Sequence, residues 1–205
     1  MKFDHLTPDQ YLRQPWKNGS GSTTELIKQV VDGQLLWRLS IAEIKQSGPF
    51  SDFSGFDRTI MLLNGNGMAL SFGDAAAPPA EHRIVHRYTP FEFAGEAKTH
   101  CRLIDGPVED FNLMVDRHRA RGTLKVLELS AVAMSFPLAA NTHVLHCLQG
   151  RTEFVAGVRA IVLQAGETLH VENVADESTP RVSTLRALDA RCSLAVAHIE
   201  TKHHG

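Results

Sequence analysis

Cysteine is scarce in this sequence of 205 residues. The three cysteines, Cys101, Cys147 and Cys192, lie far apart, and no two of them form a Cys-x-x-Cys pair. An odd number of widely spaced cysteines argues against a disulfide framework. We expect each of them to act as a small buried hydrophobic side chain in a reducing cytoplasm, with a catalytic cysteine as the alternative.

An excess of one charge and a long apolar run are also missing. Lysine and arginine together number 21 and aspartate and glutamate 23, so the formal net charge is −2. Without clustered positive charge, no nucleic-acid partner is expected. The longest apolar runs are about five residues, far short of the roughly 20 that span a bilayer. Residues 1–8 also lack the apolar stretch of a signal peptide, so we expect no membrane partner and a cytoplasmic location.

Apolar and polar residues alternate along this sequence as they do in β-strands. Residues 37–44 carry Trp37 and Leu39 on one face and Arg38 and Ser40 on the other. This period of two is the signature of a half-buried strand.

A turn follows the next apolar run. Residues 59–63 end at Asn64-Gly65, which strongly indicates a turn, and residues 68–72 are typical of the returning strand. Residues 8–14, after a Thr7 cap, are the segment for which the pattern favours a helix. Further strands are predicted at residues 91–93, 101–104, 111–115, 123–129, 143–148, 152–155, 160–163, 168–171 and 192–199.

The two halves of the chain share a plan of strand, glycine turn and strand. Residues 62–65 correspond to residues 147–150, because each segment ends a strand with an amide residue and a glycine. The polar, basic residues 116–122 lie between the halves, and we interpret them as a solvated connector rather than an anion site. Many short strands with regular turns indicate a sandwich or a barrel. We predict an all-β protein of two small barrels, at residues 1–116 and 117–205, with few short helices.

Four segments of the first half resemble the motifs of the HutD/Ves family, in that family's order and spacing. Trp-Lys-Asn-Gly-Ser-Gly opens the first motif at residues 16–25, and Trp-Arg-Leu-Ser-Ile-Ala forms the second at residues 37–42. Gly-Pro-Phe-Ser-Asp-Phe opens the third at residues 48–58, and Asp-Gly followed by Asp-Phe-Asn-Leu-Met forms the fourth at residues 105–114. The resemblance implies a cupin-superfamily fold with two RmlC-like jelly-roll barrels in one chain, which is a bicupin.

The resemblance also implies a role. The HutD branch is linked to histidine utilisation, which it modulates rather than catalysing a step, and small pathway carboxylates are its implied ligands. The Ves branch is associated instead with stress and cold responses. The sequence alone does not choose between the branches.

The cupin metal motif, His-x-His-x(3–4)-Glu-x6-Gly, is altered in this sequence. Counted back from Gly65, the glutamate position holds Arg58, and the two histidine positions hold Ser51 and Phe53. None of these three is a normal ligand for iron, manganese or nickel, and an arginine repels a cation. The second cupin motif, at residues 90–95, contains no histidine. We therefore expect neither a metal nor another cofactor in the first barrel.

In the second half, His143, His146 and His170 leave a metal site as an alternative. A strand places His143 and His146 on opposite faces, so we expect single hydrogen-bonded histidines instead.

An inward-facing arginine points to an anion. If Arg58 faces the interior as the cupin glutamate does, its charge is costly unless it meets an anion, and an arginine fork binds carboxylates bidentately. We predict a pocket for a small carboxylate, with Arg38 and Ser40 as donors from a neighbouring strand and with Asn112 and Met114 along its wall. The remaining predicted ligand-binding residues are Ser51, Phe53, Glu43, Asn18 and Trp16.

Alternatives remain for several of these residues. In the alternative interpretation, Arg58 pairs internally with Glu43, Asp57 or Asp110 and binds no ligand. Asn18 then only forms a turn, and Trp16 only packs in the core.

Three functions fit the sequence. The first is a metal-free bicupin that binds a small carboxylate metabolite and modulates a catabolic pathway without catalysis. The second is a metal-independent enzyme of the isomerase or epimerase type, acting on a small anionic substrate with Glu43 or Asp110 as base. The third is a protein-interaction module, and a homodimer is compatible with each of the three.

Overall fold

The computed structural model describes residues 1–73, 81–173 and 182–202, and nearly all of its regular structure is β-strand. The strands of the first half are β1 (Lys2–Leu6), β2 (Leu12–Pro15), β3 (Gly21–Val31), β4 (Gln34–Ile44), β5 (Gly48–Pro49), β6 (Phe56–Asn64), β7 (Met68–Phe72), β8 (Glu81–Ile84), β9 (Phe91–Ala94), β10 (Thr99–Leu103) and β11 (Val108–Asp116). Those of the second half are β12 (Ala120–Leu129), β13 (Met134–Pro137), β14 (Thr142–Gln149), β15 (Arg151–Ala156), β16 (Arg159–Gln164), β17 (Thr168–Glu172), β18 (Val182–Ala187) and β19 (Cys192–Thr201).

The chain forms two compact units. The N-terminal unit comprises residues 11–121 with Lys202, and the C-terminal unit comprises residues 1–10 and 122–201. The sequence predicts a boundary between residues 116 and 117, with residues 1–10 in the first barrel. In the structure β1 instead pairs with β17 in the C-terminal unit, with Lys2 opposite Glu172. A strand whose partner lies this far along the chain leaves no local pattern that would reveal the pairing.

The N-terminal unit consists of two sheets with a core between them. The six-stranded sheet has the order β2-β3-β4-β11-β6-β9, and the four-stranded sheet has the order β5-β10-β7-β8. Their facing apolar side chains form one cluster: Ile44, Ile60, Leu62 and Val108 from the first sheet, and Met68, Leu70, Ile84 and Cys101 from the second.

The C-terminal unit has the same plan. Its five-stranded sheet has the order β1-β17-β14-β19-β12, and its four-stranded sheet has the order β13-β18-β15-β16. Phe154 and Leu185 from one sheet pack with Leu145 and Leu194 from the other. Two antiparallel sheets in each unit are consistent with the predicted pair of jelly-roll barrels.

Every strand predicted from the sequence is present, and the Asn64-Gly65 turn is confirmed. Gly65 has a φ of 94°, and a Cβ there would collide with the backbone of Pro107, so only glycine fits this turn. The predicted helix over residues 8–14 is wrong beyond its first turn. A 3₁₀ segment spans Pro8–Gln10, and β2 follows because Leu12–Pro15 pairs with β3 along a sheet edge.

Candidate functional site

Three neighbouring strands place a polar row of side chains on one face. Met114 of β11 lies opposite both Arg38 of β4 and Arg58 of β6. Two residues along the same strand, Asn112 lies opposite Ser40, and residues paired directly across antiparallel strands share a face. The alternation of residues 37–44 is therefore confirmed, and the face that carries the arginine is the one turned toward the interior.

This face lines a cavity of about 470 Å³. Its lining comes from the segment before β3, from β3 and β4, from the segment around β5, and from β6 and β11. The lining residues are Pro15, Trp16, Lys17, Asn18, Thr23, Arg38, Ser40, Ala42, Ile44, Pro49, Phe50, Ser51, Phe53, Arg58, Asp110 and Asn112. The cavity lies entirely within the N-terminal unit.

Arg58 is a buried charge surrounded by aromatic rings. It is 5% exposed, and its guanidinium carbon lies 5.3 Å from the ring centre of Phe50, 5.2 Å from that of Phe53 and 4.8 Å from that of Phe93. Burial lowers the pKa of Arg58 to about 10, and the charge of Asp110 opposes this shift. The group stays cationic at neutral pH. Its Nε has no hydrogen-bond partner in the described part of the chain.

Arg38 contributes a second cation to the same cavity. Its Nη2 lies 3.2 Å from the sulfur of Met114, and its guanidinium carbon lies 5.8 Å from the ring centre of Phe53. Burial lowers the pKa of Arg38, and the nearby charge of Glu25 partly offsets that effect. Its Nε also lacks a partner among the described residues. Met114 therefore acts on the cavity through Arg38 and does not line it.

Asp110 is the acidic group of the cavity, and it was absent from the predicted ligand-binding residues. It is 1% exposed, and this burial raises its pKa to about 7, although the charge of Arg58 pulls the pKa down. Its Oδ1, like the Oδ1 of Asn112, has no hydrogen-bond partner within the described residues. The alternation of side chains along a strand is the sequence signal that identifies Asp110. It precedes Asn112 by two residues on one strand and therefore shares its face.

The carboxylates considered as internal partners of Arg58 either bind other residues or form no salt bridge with it. Glu43 accepts a hydrogen bond from Arg13 Nη2 at 2.7 Å, and Asp57 lies 3.0 Å from Arg117 Nε. Asp110 acts on Arg58 through its charge alone. Within residues 1–73, 81–173 and 182–202, no carboxylate forms a salt bridge with Arg58.

The structure brings together eight of the ten predicted ligand-binding residues around the cavity, and Met114 and Glu43 are the other two. Glu43 points away because its neighbours Ala42 and Ile44 both line the cavity, and adjacent strand residues face opposite sides. It is hydrogen-bonded to Arg13 and Ser22 instead.

Trp16 and Asn18 have structural contacts as well as a place in the lining. Trp16 Nε1 donates a hydrogen bond to Thr23 Oγ1 at 2.8 Å, and Asn18 Oδ1 accepts one from Ser20 Oγ at 2.7 Å. A binding role for these residues and for the other eight stays a prediction.

Comparison with known proteins assigns the chain to a family. The family model described as HutD matches residues 8–188. The chain belongs to the HutD family. The resemblance noted from its motifs is thereby confirmed.

Two curated relatives agree with this membership. An uncharacterized protein from the region 3′ of hutC in Pseudomonas putida is 37% identical over 155 residues, which cover 71% of this chain and 78% of the relative. Protein Ves from Cronobacter sakazakii is 35% identical over 114 residues, which cover 55% of this chain and 60% of Ves. The match to Ves thus spans less than two thirds of that relative.

Solved structures agree with the fold of this HutD-family chain. A conserved protein of unknown function from Pseudomonas aeruginosa PAO1 has a TM-score of 0.87 at 30% identity, covering 98% of this chain and 100% of the other. HutD from Pseudomonas fluorescens SBW25, in a formate condition, has a TM-score of 0.79 at 28% identity with the same coverage. A cupin 2 conserved barrel domain protein from Leptotrichia buccalis, at 8% identity and a TM-score of 0.57, covers 87% of this chain and 88% of its own, and shares the fold alone.

The histidines of the C-terminal unit of this HutD-family protein are hydrogen-bonded. The Nδ1 atoms of His143 and His198 lie 2.8 Å apart, and His146 Nδ1 lies 2.9 Å from Thr168 Oγ1. Burial lowers the pKa of His143 and of His146 to about 4, so both are neutral at pH 7. Across the described ranges, no three His, Cys, Asp or Glu side chains are grouped as metal ligands would be.

In the part of the chain that the structure describes, no helix has the length and apolar character needed to cross a membrane.

Proposed function

We propose that this HutD-family protein is a cytoplasmic, metal-free bicupin that binds a small carboxylate metabolite and modulates histidine utilisation or a stress response without catalysis. The observation that carries the proposal is Arg58, a buried residue that lines the cavity and whose Nε has no hydrogen-bond partner among the residues that the structure describes. An isolated buried charge is costly to a fold, whereas an arginine fork and a carboxylate satisfy each other through two hydrogen bonds.

Arg38 strengthens the case for an anion. It lines the same cavity as Arg58, and its positive charge lowers the pKa of Arg58. Two like charges held near each other in a cavity are best relieved by an anion between or beside them.

The names of relatives support a role in histidine utilisation. One relative lies in the hutC 3′ region and one similar structure is named HutD, which favours histidine utilisation over the stress role linked to Ves. The formate condition of that HutD structure makes formate, the smallest carboxylate, a sensible first probe.

Calorimetry on the full chain tests the proposal. The titrants are urocanate, formylglutamate, formiminoglutamate, histidine and formate, and the variants are Arg58→Gln and the exposed control Arg83→Gln. We expect at least one carboxylate to bind, and we expect Arg58→Gln to weaken it by about a hundredfold, the size of a lost charged hydrogen-bond pair. The control keeps wild-type affinity. If none of the titrants binds, or if Arg58→Gln binds as wild type does, the carboxylate site is disproved.

A second candidate function is supported by Asp110. Its pKa of about 7 suits a general acid or base, and it lines the same cavity as the two arginines. A metal-independent isomerase or epimerase acting on a small anionic substrate uses groups of this kind. Incubation with the same compounds, followed by NMR, tests it: turnover that Asp110→Asn abolishes supports an enzyme, and unchanged spectra exclude one for these substrates.

A further inference from the structure

Within the described residues, four polar atoms of the cavity lining have no hydrogen-bond partner, and they are of two kinds. The Nε atoms of Arg38 and Arg58 are donors, whereas the Oδ1 atoms of Asp110 and Asn112 are acceptors, and none of the four has a hydrogen-bond partner among the described residues. All four residues line the cavity, and Asp110 and Asn112 are 1% and 7% exposed. Buried polar groups are rarely left unpaired unless something absent from the protein itself pairs with them.

The donors and the acceptors come from different levels of the sheet. The two arginines lie opposite Met114, whereas Asp110 is four residues earlier on the same strand, opposite Ala42 and Leu62. At about 3.4 Å per residue, the backbone levels are roughly 14 Å apart, with Asn112 between them. A β-bulge between Glu109 and Asp110 marks the acceptor level. A ligand that meets both levels therefore needs a chain of several carbon atoms between its two ends.

The charges of the groups that line the cavity favour a single carboxylate. Above pH 7, where Asp110 is mostly ionised, Arg38 and Arg58 contribute two positive charges and Asp110 one negative charge, which leaves a net charge of +1 that one carboxylate neutralises. Lys17 also lines the cavity, but its side chain is exposed to solvent, so its charge is screened. A second ligand carboxylate at the acceptor level meets Asp110 Oδ1 and Asn112 Oδ1, which have no proton to donate when Asp110 is ionised.

We propose that the ligand is a monocarboxylate whose opposite end presents N–H donors to Asp110 and Asn112. The inference rests on the proposed carboxylate site and adds the chemistry of the ligand's other end. The carboxylate binds the arginines, and an ammonium, imino or amide nitrogen donates to the two oxygens. Asp110 and Asn112 are then the residues that determine specificity.

Four probes of the same carbon chain length test which group at the end opposite the carboxylate the cavity prefers. Valerate ends in a methyl group, glutarate in a second carboxylate, glutaramate in an amide and δ-aminovalerate in an ammonium. Calorimetry with the full chain at pH 8, where Asp110 is mostly ionised, is expected to give tighter binding for δ-aminovalerate and glutaramate than for valerate and glutarate. The difference should be about tenfold or more, because a buried acceptor without a partner is penalised.

Two variants assign the preference to residues. Asp110→Asn and Asn112→Leu are each expected to reduce the ratio of δ-aminovalerate to valerate affinity by about tenfold. Glu109→Gln is the matched control, because Glu109 is adjacent on β11, exposed and on the opposite face, and its ratio stays unchanged. Asp110→Asn is isosteric, so it tests the inference even where Asn112→Leu destabilises the fold.

The outcomes distinguish this inference from the function on which it rests. If valerate or glutarate binds as tightly as δ-aminovalerate, the N–H inference is overturned and the carboxylate site stands. The inference is also overturned if Asp110→Asn leaves the ratio unchanged. If no probe and no metabolite binds, both proposals fail.

Discussion

The Arg58 guanidinium and the Asp110 carboxylate line one cavity from neighbouring strands, and each has an atom without a hydrogen-bond partner within the described residues. Their charges act on each other, since Asp110 raises the pKa of Arg58 and Arg58 lowers that of Asp110. A direct pair would satisfy both groups within the protein. Their separation leaves both available to a third molecule, at a cost to the stability of the unliganded fold.

This cost predicts that Arg58→Met stabilises the ligand-free protein. Methionine keeps favourable contacts with Phe50, Phe53 and Phe93 and removes a desolvated charge, so we expect the free energy of unfolding to rise by about 1–2 kcal/mol. Urea denaturation without ligand measures the change. The exposed variant Arg83→Met should stay within about 0.5 kcal/mol of wild type. A loss of stability in Arg58→Met would show that the arginine is held by interactions within the fold.

The raised pKa of Asp110 predicts how stability depends on pH. Between pH 3.8, its ordinary pKa, and about 7, its folded pKa, the folded chain holds a proton that the unfolded chain has released. The free energy of unfolding due to this group therefore falls as pH rises through that window and is constant above it. Arg58 and Cys101 are the ionisable groups coupled to Asp110, and burial together with the Asp110 charge raises the pKa of Cys101 to about 12, so Cys101 stays neutral.

Asp110→Asn removes this dependence. Relative to wild type, the variant should gain up to about 4 kcal/mol in free energy of unfolding between pH 4 and pH 7, at about 1.4 kcal/mol per pKa unit. Urea denaturation at a series of pH values measures the difference, and Glu109→Gln serves as the control on the same strand. A constant difference between Asp110→Asn and wild type across the window would contradict a raised pKa.

The close packing around Gly95 predicts that a larger side chain at this position affects ligand binding in the cavity. A Cβ at this position would overlap the carbonyl oxygen of Phe53, whose ring lines the cavity beside Arg58. We expect Gly95→Ala to displace the Phe53 segment, to destabilise the fold by about 1–3 kcal/mol and to weaken carboxylate binding. Gly48→Ala is the matched control, because a Cβ at Gly48 has open space. Thermal denaturation and calorimetry compare the two, and equal behaviour would mean that the segment adapts without cost.

The position of Trp16 in the cavity lining predicts that ligand binding changes the tryptophan fluorescence of the protein. The protein contains two tryptophans: Trp16 lines the cavity, whereas Trp37 is fully buried and donates a hydrogen bond to Gln29 Oε1 at 2.6 Å. A carboxylate that enters the cavity should change the emission of Trp16. The change should disappear in Trp16→Phe and persist in Trp37→Phe, as a titration followed by emission spectra would measure. A signal that depends on Trp37 would place binding elsewhere.

Local patterns predicted much of the fold, and they failed where the pattern was weak or the partner distant. The alternation of residues 37–44 correctly separated Arg38 and Ser40 from Trp37 and Leu39. The pattern missed β3, because its residues are mostly polar and β-branched without a clear apolar face. It also predicted a helix that includes most of Leu12–Pro15, which is a strand in the structure. Pairing with β3 at the sheet edge overrides the weak helix preference of this short segment.

The sequence by itself determined the strand period and the family, and it predicted that Ser51, Phe53 and Arg58 occupy the cupin metal-ligand positions. Those properties are local, because they depend on residue type and on spacing along one segment. Only the tertiary structure decided that Asp110 joins the arginines in the cavity, that Glu43 faces away and that β1 belongs to the C-terminal unit. β-pairing joins residues far apart in the chain, such as Arg38 and Met114, 76 positions apart, so a side chain's neighbours follow from the register of strands and not from its own segment.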